Sequence, residues 1–204
     1  MRRSVRHPHR SSPIVLSILA IVVAAGACSP GPADDDPQAA FWRSMRSLCG
    51  QAFEGRLVEG SAADSSALGA PLVLDVWQCY SDELRLAFHA ADDHSRVWLL
   101  SPSADGLVLE HALHGPDGQP QPYSGYGGET ASPGTPTAQT FMPDRGTLSN
   151  VPTSDGTQWV LEIVPDDRIT YRLRSPRTVD FRVDFDLRRR AGRQPAPWGF
   201  TRRR

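Results

Sequence analysis

After residue 54 hydrophobic and polar positions alternate with a period of two, whereas one short stretch before it repeats with the period of a helix. Phe41, Trp42, Met45, Leu48 and Cys49 recur at helical spacing behind Asp36-Pro37, an N-cap followed by a first-turn proline, and Gly50 stops the run. One amphipathic helix is therefore predicted over 37–49, with Asp34, Asp35 and Asp36 at its positive end.

Downstream, Leu72, Leu74 and Val76 alternate with Val73, Asp75 and Trp77, and Leu84, Leu86 and Phe88 alternate with Arg85, Ala87 and His89. Leu107, Leu109, His111 and Leu113 form another one-sided set, and the clearest is Val179 to Leu187, with Val179, Phe181, Val183, Phe185 and Leu187 on one face. Arg96–Leu100, Gln139–Phe141, Gln158–Val164 and Arg168–Arg174 complete the expected strands. Asp105-Gly106 and Asp117-Gly118 supply hairpin chemistry. The chain reads as mostly β: an antiparallel meander of about eight strands closed into a lipocalin-like barrel, or folded into a sandwich, with one N-terminal helix. The Gly, Pro, Ser and Thr-rich stretch from Gly115 to Pro136 reads as one long loop over an open end.

The first residues change the picture from any globular domain to an exported one. Arg2, Arg3, Arg6 and Arg10 precede an uncharged run from Pro13, and Ala25-Gly26-Ala27 leads into Cys28, the layout of an export signal. The run is shorter than the about 20 residues of a membrane span. Ala25 and Ala27 form an A-x-A site at which a general signal peptidase would release a secreted protein; the same residues resemble a lipobox, in which the cysteine is lipidated and becomes the new N-terminus, with Ala25 standing where leucine is usual. The expected organisation is signal peptide 1–27, tether 28–36, a single β-rich domain 37–187 and a basic, Pro/Arg-rich tail 188–204. Cys28 is the expected lipidation site and a membrane surface the expected partner. With Cys28 acylated, Cys49 and Cys79 remain as an even pair, which an oxidising compartment joins in a disulfide.

Charge narrows the partners. The chain contains 22 basic residues, all of them arginine, so lysine-nucleophile and Schiff-base chemistry is excluded. From Cys28 onward 18 arginines face 23 acids, and seven of those arginines fall between Arg188 and Arg204. An acidic exported domain is a poor match for nucleic acid. The basic tail reads as solvated.

Short segments in a fixed order, Phe41-Trp42, Leu48-Cys49-Gly50-Gln51-Ala52-Phe53-Glu54-Gly55, Ser95-Arg96-Val97-Trp98, Tyr126-Gly127-Gly128-Glu129-Thr130 and Pro197-Trp198-Gly199, resemble an uncharacterised family of exported bacterial proteins and lipoproteins. The resemblance implies an exported domain spanning most of the chain and implies no reaction. The family carries more histidines and acids after the equivalent of His111, whereas this chain reads Ala112-Leu113-His114-Gly115-Pro116, so no histidine-based metal or acid-base role carries over.

Candidate chemistry is sparse. His111 and His114 lie on opposite faces of a predicted strand and so cannot share one ion; His111, on the face of Leu107 and Leu109, reads as a buried neutral imidazole. Asp92-Asp93-His94-Ser95-Arg96 holds the ingredients of a hydrolytic triad, but consecutive loop residues do not adopt triad geometry. No G-x-S-x-G, H-E-x-x-H, P-loop or dinucleotide motif occurs. Tyr123-Ser124-Gly125-Tyr126 has the character of a binding loop, with flat aromatic faces and backbone donors. His89, Arg96, His111, Tyr123 and Tyr126 are thus the candidate ligand-binding residues, with no metal ligand, catalytic residue or cofactor assigned. The expected function is that of a tethered lipoprotein whose barrel binds a small apolar ligand or an envelope component without catalysis. The alternatives are an enzyme or metal protein using His89, Arg96 and His111, and a structural envelope lipoprotein without a pocket.

Overall fold

The computed structural model describes residues 36–60 and 69–201, all within one compact unit. Asp36 caps the helix, its carboxylate accepting from the Gln38 N–H, and Pro37 occupies the first turn. This helix, α1 (Pro37–Arg46), is three residues shorter than the periodicity suggests, because Ser47–Gly50 form turns that bring Cys49 against the end of a strand.

Ten strands follow: β1 (Ala52–Glu59), β2 (Leu72–Cys79), β3 (Leu84–Ala90), β4 (Asp93–Ser103), β5 (Gly106–Leu113), β6 (Tyr126–Thr130), β7 (Ala138–Pro143), β8 (Gln158–Val164), β9 (Arg168–Arg174) and β10 (Phe181–Arg190). Each pairs antiparallel with its neighbour in sequence, and β10 pairs with β1, so the meander closes into a lipocalin-like barrel and leaves no edge among the described strands. Two short elements interrupt the passage from β7 to β8: α2 (Arg145–Asn150), capped by Asp144, and a 3-10 turn at Pro152–Ser154.

The alternating residues do what their period implies. Leu72, Leu74, Val76, Leu84, Leu86, Leu109, Leu161, Val183 and Phe185 point inward and are essentially inaccessible to solvent. Phe185 reaches across to β1, where a Cβ on Gly55 would come within 2.6 Å of its ring, so the glycine makes room for the largest side chain of its row. On the outside of β1, β9 and β10 stand Arg56, Arg168, Arg172, Arg182, Asp184 and Asp186, tied by pairs such as Arg182–Asp184 at 2.9 Å. Along these three strands the outside is charged and the inside apolar, the reverse of a lipid-facing wall.

One end of the barrel is stoppered. Phe41 and Met45 of α1 are fully buried in the barrel core, Gln38 Nε2 donates to Thr130 Oγ1 at 2.8 Å, and the Cys49–Cys79 disulfide locks the segment after α1 to the end of β2. The Arg46 guanidinium donates to the Tyr80 carbonyl beside it.

The strands number ten where about eight were expected, and two further expectations change. The stretch 115–136 is not a single loop, since Tyr126–Thr130 form β6; its two glycines give no alternation to read. The tail is not simply solvated: Arg188–Arg190 extend β10, and 197–200 form a strap on the outer wall. There Phe200 packs edge-on to Trp77 over the outer cluster of Trp77, Ala87, Val97 and Ala112, and the Trp198 N–H donates to the His94 carbonyl at 3.0 Å.

Candidate functional site

The end of the barrel away from α1 gathers most of the candidate residues. Register places Trp98 opposite His111 and His111 opposite Tyr126, so three neighbouring strands put one inward-facing row of rings side by side. Tyr171, from β9 across the barrel, stacks on Trp98 with centroids 4.1 Å apart, and the Tyr126 ring lies parallel to His111 at 4.5 Å. Trp159 closes the group, 5.2 Å from His111 and 5.8 Å from Tyr126.

Hydrogen bonding fixes the state of His111. Its Nδ1 lies 3.3 Å from the Tyr126 carbonyl, which can only accept, so Nδ1 carries the proton; Nε2, 2.9 Å from the Tyr171 hydroxyl, then accepts. Burial holds the His111 pKa down at about 3, against the Tyr126 hydrogen bond, which raises it. Burial pushes Tyr126 up to about 12, although the Arg96 charge works the other way, and pushes Tyr171 well above the usual phenol range. These three groups are neutral around pH 7, and the one lone pair of the imidazole is already engaged. They form a rigid polar floor.

Arg96 faces inward at the same end, between Phe88 and Leu113 in register. Its Nη1 donates to Asp93 Oδ2 at 2.7 Å. Burial of Asp93 opposes ionisation, but hydrogen bonds from Ser95 and Arg96 prevail and hold its carboxyl below the usual value.

The rim is built by the chain between β5 and β6 folding against α2. Ser124 Oγ accepts from the Leu113 N–H at 2.8 Å, the Gly125 N–H donates to the His111 carbonyl at 2.9 Å, and the Gly127 N–H donates to Thr147 Oγ1 at 2.7 Å. Gly127 and Gly128 are required by this approach, because a Cβ at either would overlap a carbonyl oxygen, that of Leu109 or Met142. Between loop and helix lies a cavity of about 280 Å³ lined by Tyr123, Ser124, Gly125, Tyr126, Thr147, Asn150 and Val151. Tyr123 stands over it with 65 % of its surface exposed and a backbone φ of +67°. A bulky residue rarely adopts that conformation.

Tyr123, Tyr126, His111 and Arg96 thus share one end of the barrel, with Tyr126 belonging both to the floor and to the cavity. His89 does not join them. It points outward from β3, is 1 % exposed, and meets His94 with the two Nδ1 atoms 2.9 Å apart, while the Trp198 ring lies against His94. Burial, and then the neighbouring His94, lower its pKa to about 4, with Asp93 opposing. His89, Arg96 and His111 therefore do not converge on one site, because β3 turns the first outward while β4 and β5 turn the others inward. Sequence reasoning missed Thr147, Asn150 and Val151, which lie on or just after a helix too short and polar to show a period.

The triad ingredients separate as well: Asp93 engages the Ser95 backbone and Arg96, and His94 pairs with His89. His114 packs against Phe200 on the outside, away from His111. Among the described residues no group of three or more His, Cys, Asp or Glu is placed to hold a metal ion. Cys28 and its signal lie outside the described residues. No family model, curated protein or solved structure matches this chain.

Proposed function

We propose that this protein is an exported, lipid-anchored barrel that binds an envelope component without catalysis, at the rim where Tyr123 and Tyr126 stand. The cavity of about 280 Å³ between the β5–β6 loop and α2 carries the reading. It combines two aromatic rings with hydroxyl, amide and backbone groups on a floor of neutral, mutually bonded side chains, the composition of a recognition site. The His111–Tyr171 pair beneath it serves to hold Tyr126 in place. Arg96, at the neighbouring opening of the barrel, belongs to the same end.

Anchoring rests on the Ala25-Gly26-Ala27-Cys28 segment and on the cysteine pairing that leaves Cys28 alone, and the resemblance to exported lipoproteins agrees with it. Native mass spectrometry of protein recovered from its own membranes tests both parts. The expected result is an acyl mass on Cys28 together with a further mass that denaturation releases and that Tyr123→Ala abolishes. An unacylated protein, soluble without detergent, overturns the anchor. A folded protein that never carries a releasable mass, under any growth condition, overturns the binding role.

A further inference from the structure

We propose that the Tyr123–Tyr126 cavity recognises a neutral saccharide unit, an N-acetylated hexose ring or its like; the inference rests on the binding reading above and names its ligand class. The first argument is charge. Each of the seven residues lining the cavity is uncharged, so an ionic ligand finds no counter-charge in the lining. A neighbouring carboxylate argues further against an anion, since a Cβ on Gly125 would lie 3.7 Å from a Glu110 carboxylate oxygen. That carboxyl titrates above the usual value, through burial first and then the Glu83 and Asp144 charges.

The second argument is the ring. Tyr123 is held at φ +67° with 65 % of its surface in water, a strained backbone conformation that burial of the ring does not offset. An aromatic face displayed at the mouth of a cavity is suited to the polarised C–H face of a pyranose, with the negative π face meeting the positive hydrogens.

The third argument is the remaining lining. The Ser124 hydroxyl already accepts from Leu113, so its hydrogen is free to donate, and the exposed Asn150 side chain offers both a donor and an acceptor. Val151 supplies an apolar contact for an acetamido methyl. Hydroxyl and amide groups around a flat ring match a sugar better than they match an acyl chain.

The test titrates the intact protein with N,N′-diacetylchitobiose, maltose, dodecanoate and choline, by calorimetry and by saturation-transfer NMR. The expected result is binding of the saccharides, strongest for the acetylated one, weakened about tenfold or more by Tyr123→Ala and largely retained by Tyr123→Phe, which keeps the ring. Asn150→Ala is the second variant, lowering affinity for the acetylated sugar more than for maltose. Dodecanoate or choline binding in place of sugars, lost in Tyr123→Ala, overturns the ligand class and leaves the binding site standing. Saccharide binding indifferent to Tyr123→Ala overturns the assignment of the cavity. No binding by any probe, with no releasable mass in the native sample, overturns both readings.

Discussion

Mild acid should destabilise this barrel through two histidines on opposite sides of its wall. His111 is enclosed by Trp98, Tyr126, Trp159 and Tyr171, and His89 lies buried between β3 and the strap with His94 as its ring partner. Both are held neutral, with pKa values of about 3 and about 4 against 6.5 for a free imidazole. A depressed histidine pKa means that the unfolded chain binds protons the folded one refuses. Stability is therefore complete above pH 6.5 and falls as the pH drops from there toward the folded values.

Between pH 7.5 and 5.0 each group should cost about 2 kcal/mol, and the two together about 4 kcal/mol, a large share of the 5–15 typical of a domain. At pH 5 this loss is set almost wholly by the unfolded value. The carboxylates held low, Asp93, Asp184 and Asp186, act only below their unfolded pKa of 3.8 and so contribute little in this window. Glu110, held high, offsets a small part. Urea unfolding followed by tryptophan fluorescence at a series of pH values reads the slope directly. His89→Gln and His111→Gln should each remove about half of the pH dependence whatever they do to stability at pH 7.5. Equal stability at both pH values, or an undiminished slope in both variants, would refute the reasoning.

Three further outcomes follow from the geometry. Cys49→Ser and Cys79→Ser should each lower stability by about 3.5 kcal/mol, and the double variant by no more than either, since one bond closing a 30-residue separation is lost in all three; additive losses in denaturant unfolding would contradict the pairing. Tyr171→Phe keeps the ring on Trp98 but leaves His111 Nε2 without its donor, so stability should fall by about 1–3 kcal/mol, and the His111 proton resonances should shift; an unchanged melting temperature would argue against the bond. Gly128→Ala drives a methyl into the Met142 carbonyl, a backbone group that cannot rotate away, and should cost about 3 kcal/mol or more with loss of hydrogen-exchange protection in β6 and β7; wild-type protection there would disprove the close approach.

The wall of the barrel was legible in the chain from alternation, which matches a dry inner and a wetter outer face along β5 and β10; β2 and β3 alternate in sequence as well, although Val73, Asp75, Trp77, Ala87 and His89 on their outer faces are also buried. Asp36-Pro37 marked the start of α1, and Asp105-Gly106 the hairpin between β4 and β5, where Gly106 pairs with Ser103 at φ +144°. What the pattern could not carry was anything decided by distant segments. His89 is buried although it points outward, because a strap more than a hundred residues later lies against its neighbour His94. β6 was hidden because Gly127 and Gly128 owe their place to the backbones of β5 and β7, and backbone contacts leave no hydrophobic signature. The candidate site shows the same division: Tyr123 and Tyr126 could be singled out by type, but their cavity is completed by α2, whose polar residues have no period to read.

The pairing of β10 with β1 joins the two ends of the sheet's sequence, and this decides when the barrel can exist. A chain that emerges amino end first, from a ribosome or through a translocation channel, offers β1 an edge with no partner on its far side until the last strand arrives. Before then the open sheet has β1 exposed on one side and its most recent strand on the other, the arrangement most prone to pairing with a second chain. Closure is thus a late event between remote segments, which makes folding slow but ties it to completeness. A polypeptide truncated anywhere before Phe181 lacks the strand that seals it, so a closed barrel certifies that the chain was finished through β10.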